Sequence, residues 1–471
     1  MLSAIEKPPS WRTLLTGANG LRSLVLSGGV ALHAINIYIV TTILPTVIQE
    51  IGGLTFYAWN TTLFVVASIV GSAISAKVIE RQGAAKAYLF ALLLFSVGAI
   101  LCGLAPSMAI LLLGRTVQGL GGGILFALSY ALIRVAFKRE LWSRAMALVS
   151  GMWGIATLCG PAIGGMFAQS GEWRMAFWAL LPIVAILALI VWWQFRDMPA
   201  TPGVREKLPW LTILLLVLSV LSISAAGLSD NGVWNGVGIV LGLLLGYMIT
   251  RLDSGQKMAR LLPTGAWQLT HGIGLLFATM ALLVFGLTTE IYVPYFLQVI
   301  HHMSPLTAGY LTAIMAAGWT LAALSSASAG EQRSLQMIRI GPIVVLVSLI
   351  VLAVTLPMTT GGKGILFCYG LALLGVGFGI GLAWPHLLTR VFSSASEGEE
   401  MLTSSSVTTV QLYATALAAA LAGVVTNAAG IAEISDLQGA QSAARVLFGL
   451  FAIAPALAAI LAWRLARQTN A

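Results

Sequence analysis

Charged residues are scarce in this sequence of 471 residues. Only 9% of them are Asp, Glu, Lys or Arg, whereas 58% are hydrophobic and the mean hydropathy is +0.93. A soluble globular chain carries roughly a quarter charged residues, so this chain has too few to cover itself with a water-compatible surface. The composition excludes a cytosolic enzyme, a disordered protein and a secreted disulfide module.

Cysteine is rarer still. Cys102, Cys159 and Cys368 each lie in an apolar run. An odd, scattered set of three gives neither a metal-binding spacing nor a disulfide framework. We therefore expect all three to be small core residues, and we predict no metal site.

The sequence also lacks the motifs of nucleotide hydrolysis and hydrolytic catalysis. It contains no G-x-x-x-x-G-K-[ST] loop, no H-E-x-x-H, no C-x-x-C and no serine nucleophile elbow. Four alternating glycines at 375, 377, 379 and 381 lie inside an apolar run with no strand before it, so they predict close helix packing rather than a nucleotide site. We predict that the protein is not an enzyme, needs no cofactor and takes its energy from an ion gradient.

Long apolar runs take the place of these features. A helix that crosses a bilayer needs about 20 mostly apolar residues. Fourteen runs of suitable composition are present, and the eighth is the shortest: 23–48, 57–79, 86–105, 108–136, 145–168, 174–195, 208–228, 236–251, 269–298, 305–328, 338–356, 364–389, 405–428 and 441–464. This pattern predicts an all-α membrane protein with fourteen transmembrane helices.

The distribution of positive charge supports this count. With the N-terminus in the cytoplasm, all but four of the 25 Lys and Arg residues fall at cytoplasmic ends of the runs; the exceptions are Arg115, Arg174, Lys363 and Arg445. Cytoplasmic loops of membrane proteins are enriched in Lys and Arg, and removing one run would invert every later loop. We therefore predict cytoplasmic termini, and we attribute the net charge of +9 to topology rather than to nucleic-acid binding.

Two segments divide the runs into blocks. Residues 196–210 and 251–265 mix Pro, Gly and charged residues, and two runs lie between them as a hairpin. Six runs remain on each side, which is typical of two-lobed transporters with the substrate path between the lobes. We predict an N-terminal six-helix bundle (1–200), a linker with a transmembrane hairpin (201–260) and a C-terminal six-helix bundle (261–471).

The fourth run contains a cationic residue, Arg115. Its start reads L-L-L-G-R-T-V-Q-G-L-G-G-G from residue 111, and Arg115 and Gln118 lie one helical turn apart on one face. An arginine inside a span costs at least ~2.5 kcal/mol, which favours a polar cavity or a partner. The alternative is that its side chain extends to the outer interface.

Two other motifs concern helix geometry. Residues 160–165 read G-P-A-I-G-G, in which the proline bends the helix and the glycines allow a neighbour to pack closely. Residues 80–83 read E-R-Q-G and follow the second run. This charged turn either latches against a helix end on the cytoplasmic side or is simply solvated.

Together these motifs resemble the major facilitator superfamily. L-x-x-x-R-x-x-Q-G-x-G matches its fourth-helix motif, and G-P-x-x-G-G matches the fifth-helix motif of its antiporters. The turn at 80–83 resembles its first-loop motif in part, with Glu80 in place of Asp, Ala76 in place of Gly, and Ala84 and Ala85 in place of a basic pair.

The fourteen-run count narrows the resemblance to the fourteen-helix drug:proton antiporter family. Residues 36–45 (N-I-Y-I-V-T-T-I-L-P) resemble that family's D-x-x-I-V-N-V-A-L-P stretch, with Asn36 where Asp is expected. Residues 292–309 resemble its ninth-to-tenth-helix region. The resemblance implies the two-bundle major facilitator fold and proton-coupled export of amphipathic compounds by alternating access.

The resemblance also implies which helices line the cavity, namely the first, fourth, ninth and twelfth runs. Polar and aromatic residues of these runs are the expected substrate contacts: His33, Asn36, Tyr38, Gln118, Tyr292, Tyr295, Gln298, Trp384 and His386. The residues with expected conformational roles are those of the two geometry motifs: Glu80, Arg81, Gly83, Gly160, Pro161, Gly164 and Gly165.

Glu290 is the only acid that remains once the loops are set aside. A carboxyl group in low-dielectric surroundings is favoured in its neutral form, so it can bind and release a proton near neutral pH. We predict that Glu290 carries the proton and that Arg115 stabilises its ionised form. The alternative is an acid near the outer membrane interface.

The substrate remains open between two classes. The first hypothesis is export of small amphipathic compounds or drugs, and the alternative is a dedicated exporter or importer of one metabolite, siderophore or organic anion, which the neutral Asn36 favours. In either case the expected partners are a small-molecule substrate and the lipid bilayer, with no nucleic acid. The expected form is a monomer in the bacterial inner membrane.

Overall fold

A computed structural model describes residues 11–196, 208–229, 231–255, 260–431 and 436–469. Within these ranges the chain is helical and contains no strand. The helices are α1 (Trp11–Leu15), α2 (Gly17–Ile51), α3 (Trp59–Gly103), α4 (Met108–Ala131), α5 (Ile133–Ala136), α6 (Trp142–Gln169), α7 (Trp173–Trp178), α8 (Leu181–Phe195), α9 (Trp210–Ala226), α10 (Gly232–Asp253), α11 (Gly272–Thr288), α12 (Val293–His301), α13 (Pro305–Ser326), α14 (Glu331–Thr355), α15 (Gly362–Ser393), α16 (Glu400–Ala428), α17 (Leu437–Phe451) and α18 (Ile453–Thr469).

Twelve helical segments of the described chain are long and apolar enough to cross a membrane. The protein is therefore a multi-pass integral membrane protein, as the sequence predicts. The difference from fourteen arises at two places. The 50-residue segment Leu54–Gly103 counts once, and α9, with 17 residues, is shorter than a typical span.

The long helix α3 is folded back on itself at Gly83. Gly83 has φ +79° and ψ 168°, which interrupts the helical geometry. In a straight helix, residues 64 and 95 would lie about 45 Å apart, because each residue advances 1.5 Å. Both nevertheless pack against the same short stretch of α4, where added Cβ atoms at Gly119 and Gly121 would strike Phe64 and Phe95. The two parts of α3 therefore lie side by side.

The hairpin α9–α10 packs closely. Added Cβ atoms at Gly238 and Gly242 of α10 would collide with α9, so these glycines permit the contact. The apolar runs predict that the second helix of the hairpin is the shorter, and this is wrong, since α10 has 22 residues and α9 has 17. Asp230 in the hairpin turn, most of the predicted hinge 196–210 and part of 251–265 lie outside the described residues.

The alternating glycines of α15 serve helix packing, as predicted. A Cβ at Gly377 or Gly381 would collide with the backbone of α13, and one at Gly375 or Gly379 would collide with α14. The motif therefore fixes two neighbouring helices at short distance.

The prediction that all three cysteines are core residues is wrong for Cys368. Cys102 is buried and Cys159 is partly buried, whereas Cys368 is exposed on α15. The reason is that a transmembrane helix is apolar on its lipid-facing side as well as on its core-facing side, so an apolar run does not by itself indicate burial.

Candidate functional site

The described residues within 11–196 and 260–469 form two parts of the chain that meet at one end of the molecule. We call them the N-terminal and C-terminal halves. The end where they meet contains Tyr57 and is called the Tyr57 end. The opposite end contains the fold-back at Gly83 and is called the Gly83 end.

Aromatic rings join the halves at the Tyr57 end. The Tyr57 ring stacks on Tyr292 with ring centroids 4.6 Å apart and meets Tyr295 edge-on at 5.5 Å. The Thr426 hydroxyl donates a hydrogen bond of 2.8 Å to the Tyr292 hydroxyl. All three tyrosines are at most 1% exposed, so this contact excludes water.

Two amide side chains add hydrogen bonds between the halves. Asn427 Nδ2 donates to the carbonyl oxygen of Thr55 at 3.0 Å. Gln298 Nε2 donates to the carbonyl oxygen of Thr42 at 3.4 Å. Both bonds lie toward the Tyr57 end, which is closed in this structure.

The halves separate toward the Gly83 end. Near the Tyr57 end, Gly165 of α6 is buried against α13, and Gly309 of α13 is buried against Pro161 of α6. Eleven residues correspond to about three helical turns, so Gly154 and Thr320 lie on these same faces nearer the Gly83 end. Both are exposed. The interface of α6 and α13 therefore opens toward the Gly83 end.

The G-P-x-x-G-G motif produces the closed part of this interface. Pro161 lies inside α6, and added Cβ atoms at Gly160 and Gly164 would collide with Tyr38 and Ile39 of α2. Gly165 meets α13 instead. The predicted close packing at this motif is confirmed, and it holds α6 against a helix of each half.

Glu290 lies where a transmembrane helix is interrupted. The 3₁₀ turn Thr289–Tyr292 separates α11 from α12. Glu290 is partly buried, and its carboxylate has no hydrogen bond or ion pair with any described residue. It interacts electrostatically with the Tyr38 phenol of the N-terminal half. An acid without a fixed partner thus lies between the halves, next to the closed end.

Arg115 is buried inside the N-terminal half. It is 2% exposed, so its side chain does not extend to the membrane interface as the alternative expects. Its Nη1 donates to Gln118 Oε1 at 2.7 Å, its Nε donates to the Asn60 carbonyl oxygen at 3.4 Å, and its guanidinium lies 4.2 Å from the Phe64 ring centroid. The predicted partner Glu290 is not among these contacts.

His33 and Asn36 lie one turn apart on α2 and are both buried. The His33 ring contacts Phe64 at 5.2 Å, Phe126 at 5.3 Å and Trp153 at 6.3 Å between centroids. Neither polar atom of Asn36 has a hydrogen-bond partner in the described chain. The N-terminal half thus contains a cluster of aromatic rings around His33, and the unpaired polar atoms of Asn36 lie one helical turn away.

The predicted residues of the C-terminal half fall into two places. Tyr292, Tyr295 and Gln298 belong to the closed Tyr57 end. Trp384 and His386 lie on α15, where Trp384 is 8% exposed and its ring is 5.4 Å from that of Trp319. The structure therefore does not bring all five together.

The charged turn at the Gly83 end is solvated in this structure. Glu80 and Arg81 are exposed and have no hydrogen bond or ion pair with another described residue. The latch that the sequence offers as an alternative is not formed here.

Sequence reasoning missed several residues that the structure places in these contacts. Tyr57 lies in a short loop, and Phe126, Trp153 and Trp319 lie in apolar runs where an aromatic residue is unremarkable. Asp253 lies in the segment 251–265, which the sequence predicts as a boundary between blocks, yet it is 2% exposed, so an acid is buried outside the predicted site. The proline and charge content around 251–265 gave no sign that a buried carboxylate anchors this segment.

A family model described as Major Facilitator Superfamily matches residues 26–419. The chain belongs to the Major Facilitator Superfamily.

Two curated relatives match this chain, one over nearly its whole length and the other over about three fifths of it. The probable multidrug-efflux transporter Rv1634 of Mycobacterium tuberculosis (strain ATCC 25618 / H37Rv) is 37% identical over 455 residues, which covers 95% of this chain and 96% of the relative. Multidrug resistance protein 3 of Bacillus subtilis (strain 168) is 25% identical over 299 residues, or 62% of this chain and 57% of the relative.

Solved structures share the fold at low identity. A proton dependent oligopeptide (POT) family transporter matches with a TM-score of 0.66 and 15% identity over 93% of this chain and 99% of that one. The human organic anion transporter MFSD10 matches with a TM-score of 0.61 and 15% identity over 95% and 100%. At this identity the likeness establishes the fold, and the superfamily membership makes the protein a transporter rather than an enzyme.

Proposed function

We propose that the protein is a proton-coupled antiporter that exports small amphipathic compounds by alternating access. Glu290 carries this proposal, because it is an acid in a helix interruption between the halves without a fixed partner. The relatives named as multidrug-efflux transporters support drugs as the cargo. The absence of a nucleotide-binding motif from the sequence favours the proton gradient as the energy source.

The proposed topology has fourteen transmembrane helices. Counting the folded-back α3 as two crossings and adding α9 raises the twelve candidate spans to fourteen. An even number puts both termini on one side, and the basic residues at the Gly83 end favour the cytoplasm for that side. We place the protein in the bacterial plasma membrane as a monomer, with bundles at 1–200 and 261–471 and the hairpin in the linker 201–260.

With this topology the structure represents an inward-open state. The Tyr57 end faces the outside and is closed, while the gap between α6 and α13 opens to the cytoplasm. In this state Glu290 releases its proton inward and cargo binds. After the halves rock, the Tyr57 end opens, cargo leaves, and Glu290 takes a proton from the more acidic exterior. The Tyr38 phenol lies close enough to interact electrostatically with this carboxylate.

The proposed cargo surface combines polar groups with aromatic rings. His33, Asn36, Tyr38 and Gln118 supply the polar groups of the N-terminal half, and Trp384 and His386 supply those of the C-terminal half. Aromatic rings offer a flat apolar surface with a polar edge, which suits amphipathic compounds. Tyr292, Tyr295 and Gln298 act at the outer closure and meet cargo when the Tyr57 end opens.

Transport into everted membrane vesicles tests the proposal. Vesicles with an acidic interior should accumulate a fluorescent amphipathic dye, and Glu290→Gln should abolish this accumulation because the amide keeps the shape but cannot carry a proton. Glu50→Gln is the matched control. It removes an acid that pairs with Arg174 near the Tyr57 end, and it should leave most of the accumulation intact. Uphill accumulation by Glu290→Gln vesicles would show that coupling occurs elsewhere.

A further inference from the structure

Three buried polar side chains of the N-terminal half have unpaired atoms. His33 Nδ1, Gln118 Nε2 and both polar atoms of Asn36 have no hydrogen-bond partner in the described chain. His33 is 3% exposed, and Asn36 and Gln118 are 0% exposed. Buried polar groups in folded proteins are nearly always paired. These atoms therefore have free hydrogen-bonding capacity that a bound polar group or buried water would satisfy.

The fourth member of this set is a cation without a counter-ion. Arg115 contacts an amide oxygen, a backbone carbonyl oxygen and a phenyl ring, and none of the described acids pairs with it. Buried charges are normally neutralised by an opposite charge. An aspartate at position 36 would place a carboxylate in the same interior as Arg115, but the chain has the amide Asn36 there.

These four side chains form one cluster, which we call the Arg115 cluster. Arg115 bonds directly to Gln118. Gly122, one turn beyond Gln118, packs against His33, since an added Cβ there would lie 2.9 Å from His33 Nδ1. His33 also interacts electrostatically with Arg115. Asn36 is one turn from His33 on the same face of α2.

An aromatic path leads from the Gly83 end to this cluster. The Tyr130 hydroxyl lies 3.2 Å from the exposed Ser150 hydroxyl, and the Tyr130 ring is 5.3 Å from that of Phe126. Phe126 contacts both Trp153 and His33. The path thus begins at the solvent-exposed hydroxyl of Ser150, passes apolar aromatic rings and ends at the buried guanidinium of Arg115.

We infer that the Arg115 cluster binds the carboxylate of an exported aromatic carboxylic acid, whose rings lie against Phe126 and Trp153. Guanidinium and carboxylate form a bidentate, charge-assisted pair, and the unpaired amide N–H groups of Asn36 and Gln118 supply further donors. The carboxylate provides the counter-charge that the chain itself lacks. This inference rests on the proposed export function and names the class of its cargo.

The pairing forms as the transporter closes around its cargo. Arg115 is buried in the present state, and the Phe64 ring covers its guanidinium. A carboxylate reaches the guanidinium only after this ring turns aside. Binding of the acid therefore favours the conformation in which the Phe64 ring has turned aside. A compound without the carboxylate does not favour that conformation.

Equilibrium binding of three matched probes tests the inference. We would measure binding of 1-pyrenebutyric acid, its methyl ester and a trimethylammonium derivative of the same ring system to the purified full-length protein in lipid nanodiscs. The acid should bind at least tenfold more tightly than either analogue. Equal binding of acid and ester, or no binding of the acid, would overturn the inference and would fit buried water in the cluster instead.

Two substitutions locate the preference. Asn36→Asp supplies an internal counter-ion of nearly the same shape, so it should weaken acid binding at least tenfold relative to ester binding. Arg115→Gln should reduce the preference of acid over ester to within twofold. Retained ester binding shows that each variant is folded. A wild-type preference in either variant would contradict the assignment to this cluster.

Two controls separate this inference from the proposed coupling. Asn231→Asp adds the same charge at the exposed N-cap of α10, where Asp is an equally good cap, and it should bind all three probes as the wild type does. Glu290→Gln should keep the preference for the acid, because no gradient enters the measurement. Loss of uphill transport with the preference intact, or the reverse, therefore identifies which of the two proposals fails.

Discussion

The two ends of the molecule are held together by different kinds of contact. At the Tyr57 end the contacts cross between the halves: a ring stack, edge-on rings and amide-to-carbonyl hydrogen bonds. All of these groups are neutral. A neutral hydrogen bond contributes only about 0.5–1.5 kcal/mol, so these contacts can be broken and remade in each cycle.

At the Gly83 end the strong polar contacts remain within one half and its hairpin. The buried Asp253 carboxylate accepts hydrogen bonds from the backbone N–H groups of Leu261 and Leu262 at 2.6 and 3.1 Å and from Trp267 Nε1 at 2.8 Å. Hydrogen bonds to a charged acceptor are roughly twice as strong as neutral ones. The end of α10 is therefore fixed to the start of the C-terminal half.

This comparison indicates which contacts move. The described polar contacts between the halves are neutral, as a gate requires. Contacts that position the hairpin on the C-terminal half are charged and buried, as a rigid body requires. The Ser219 and Tyr413 hydroxyls, 2.9 Å apart, add a neutral hydrogen bond between α9 and α16.

The largest effect should come from a covalent bond across the Tyr57 end. Ala58, which directly precedes α3, faces Gly423 of α16, and a Cβ at Gly423 would lie 2.9 Å from that of Ala58. In a background without the native cysteines, oxidised Ala58→Cys/Gly423→Cys should lose nearly all dye transport, because the gate cannot open, and reduction should restore it.

The matched cross-link lies within one half. A Cβ at Gly375 of α15 would lie 3.4 Å from that of Ser348 of α14, close to the spacing in a disulfide. Oxidised Gly375→Cys/Ser348→Cys should transport at near its reduced rate. If the cross-link between Ala58 and Gly423 also leaves transport intact, the Tyr57 end is not a moving gate.

A smaller effect should come from weakening the gate without locking it. Tyr57→Ala removes the ring that stacks on Tyr292, and should increase passive proton leak through vesicles several-fold. Tyr57→Phe keeps the ring, and the Tyr57 hydroxyl has no hydrogen-bond partner in the described chain, so this variant should behave like the wild type. Leak measured by a pH-sensitive dye checks both. A proton leak that is raised equally in both variants would mean that the Tyr57 hydroxyl, and not its ring, closes this end.

Much of the architecture could be predicted because membranes impose simple rules. Apolar length and the distribution of Lys and Arg indicate a multi-pass helical protein, and the glycine motifs indicate close packing. The sequence predicts least well those features that depend on which other helix packs against a given helix. The fold-back at Gly83 and the exposure of Cys368 follow from which helix lies alongside, and one sequence does not contain that information.

Individual residues of the candidate site could be predicted from the sequence, but their positions relative to one another could not. Arg115 and Glu290 stand out because charges inside apolar runs are rare. Their separation was not foreseen, because pairing opposite charges is the simplest arrangement that a sequence suggests. Tyr57 was missed since a tyrosine in a short loop carries no signal until its partner on α12 is known.

The smallest effect should come from Glu399 at the Gly83 end. Partial burial raises the pKa of its carboxyl group, but hydrogen bonds from the Thr264 hydroxyl and N–H and the charge of Arg260 outweigh this and hold the pKa below its ordinary value of 4.5. A lowered pKa means that the ionised form stabilises the fold. This stabilisation is present at neutral pH and is lost as the pH falls through the lowered pKa.

Thermal unfolding of the purified protein tests this pH dependence. Glu399→Gln should be less stable than the wild type at pH 7 by less than about 1 kcal/mol, since the group is partly exposed. The difference should shrink as the pH falls below 4.5, the ordinary value for a glutamate. Glu397→Gln, at a nearby exposed position, should show no such trend. A gap between wild type and Glu399→Gln that stays constant with pH would mean that the Thr264 contact acts without the carboxylate charge, and that the Gly83 end is held by neutral contacts like those of the Tyr57 end.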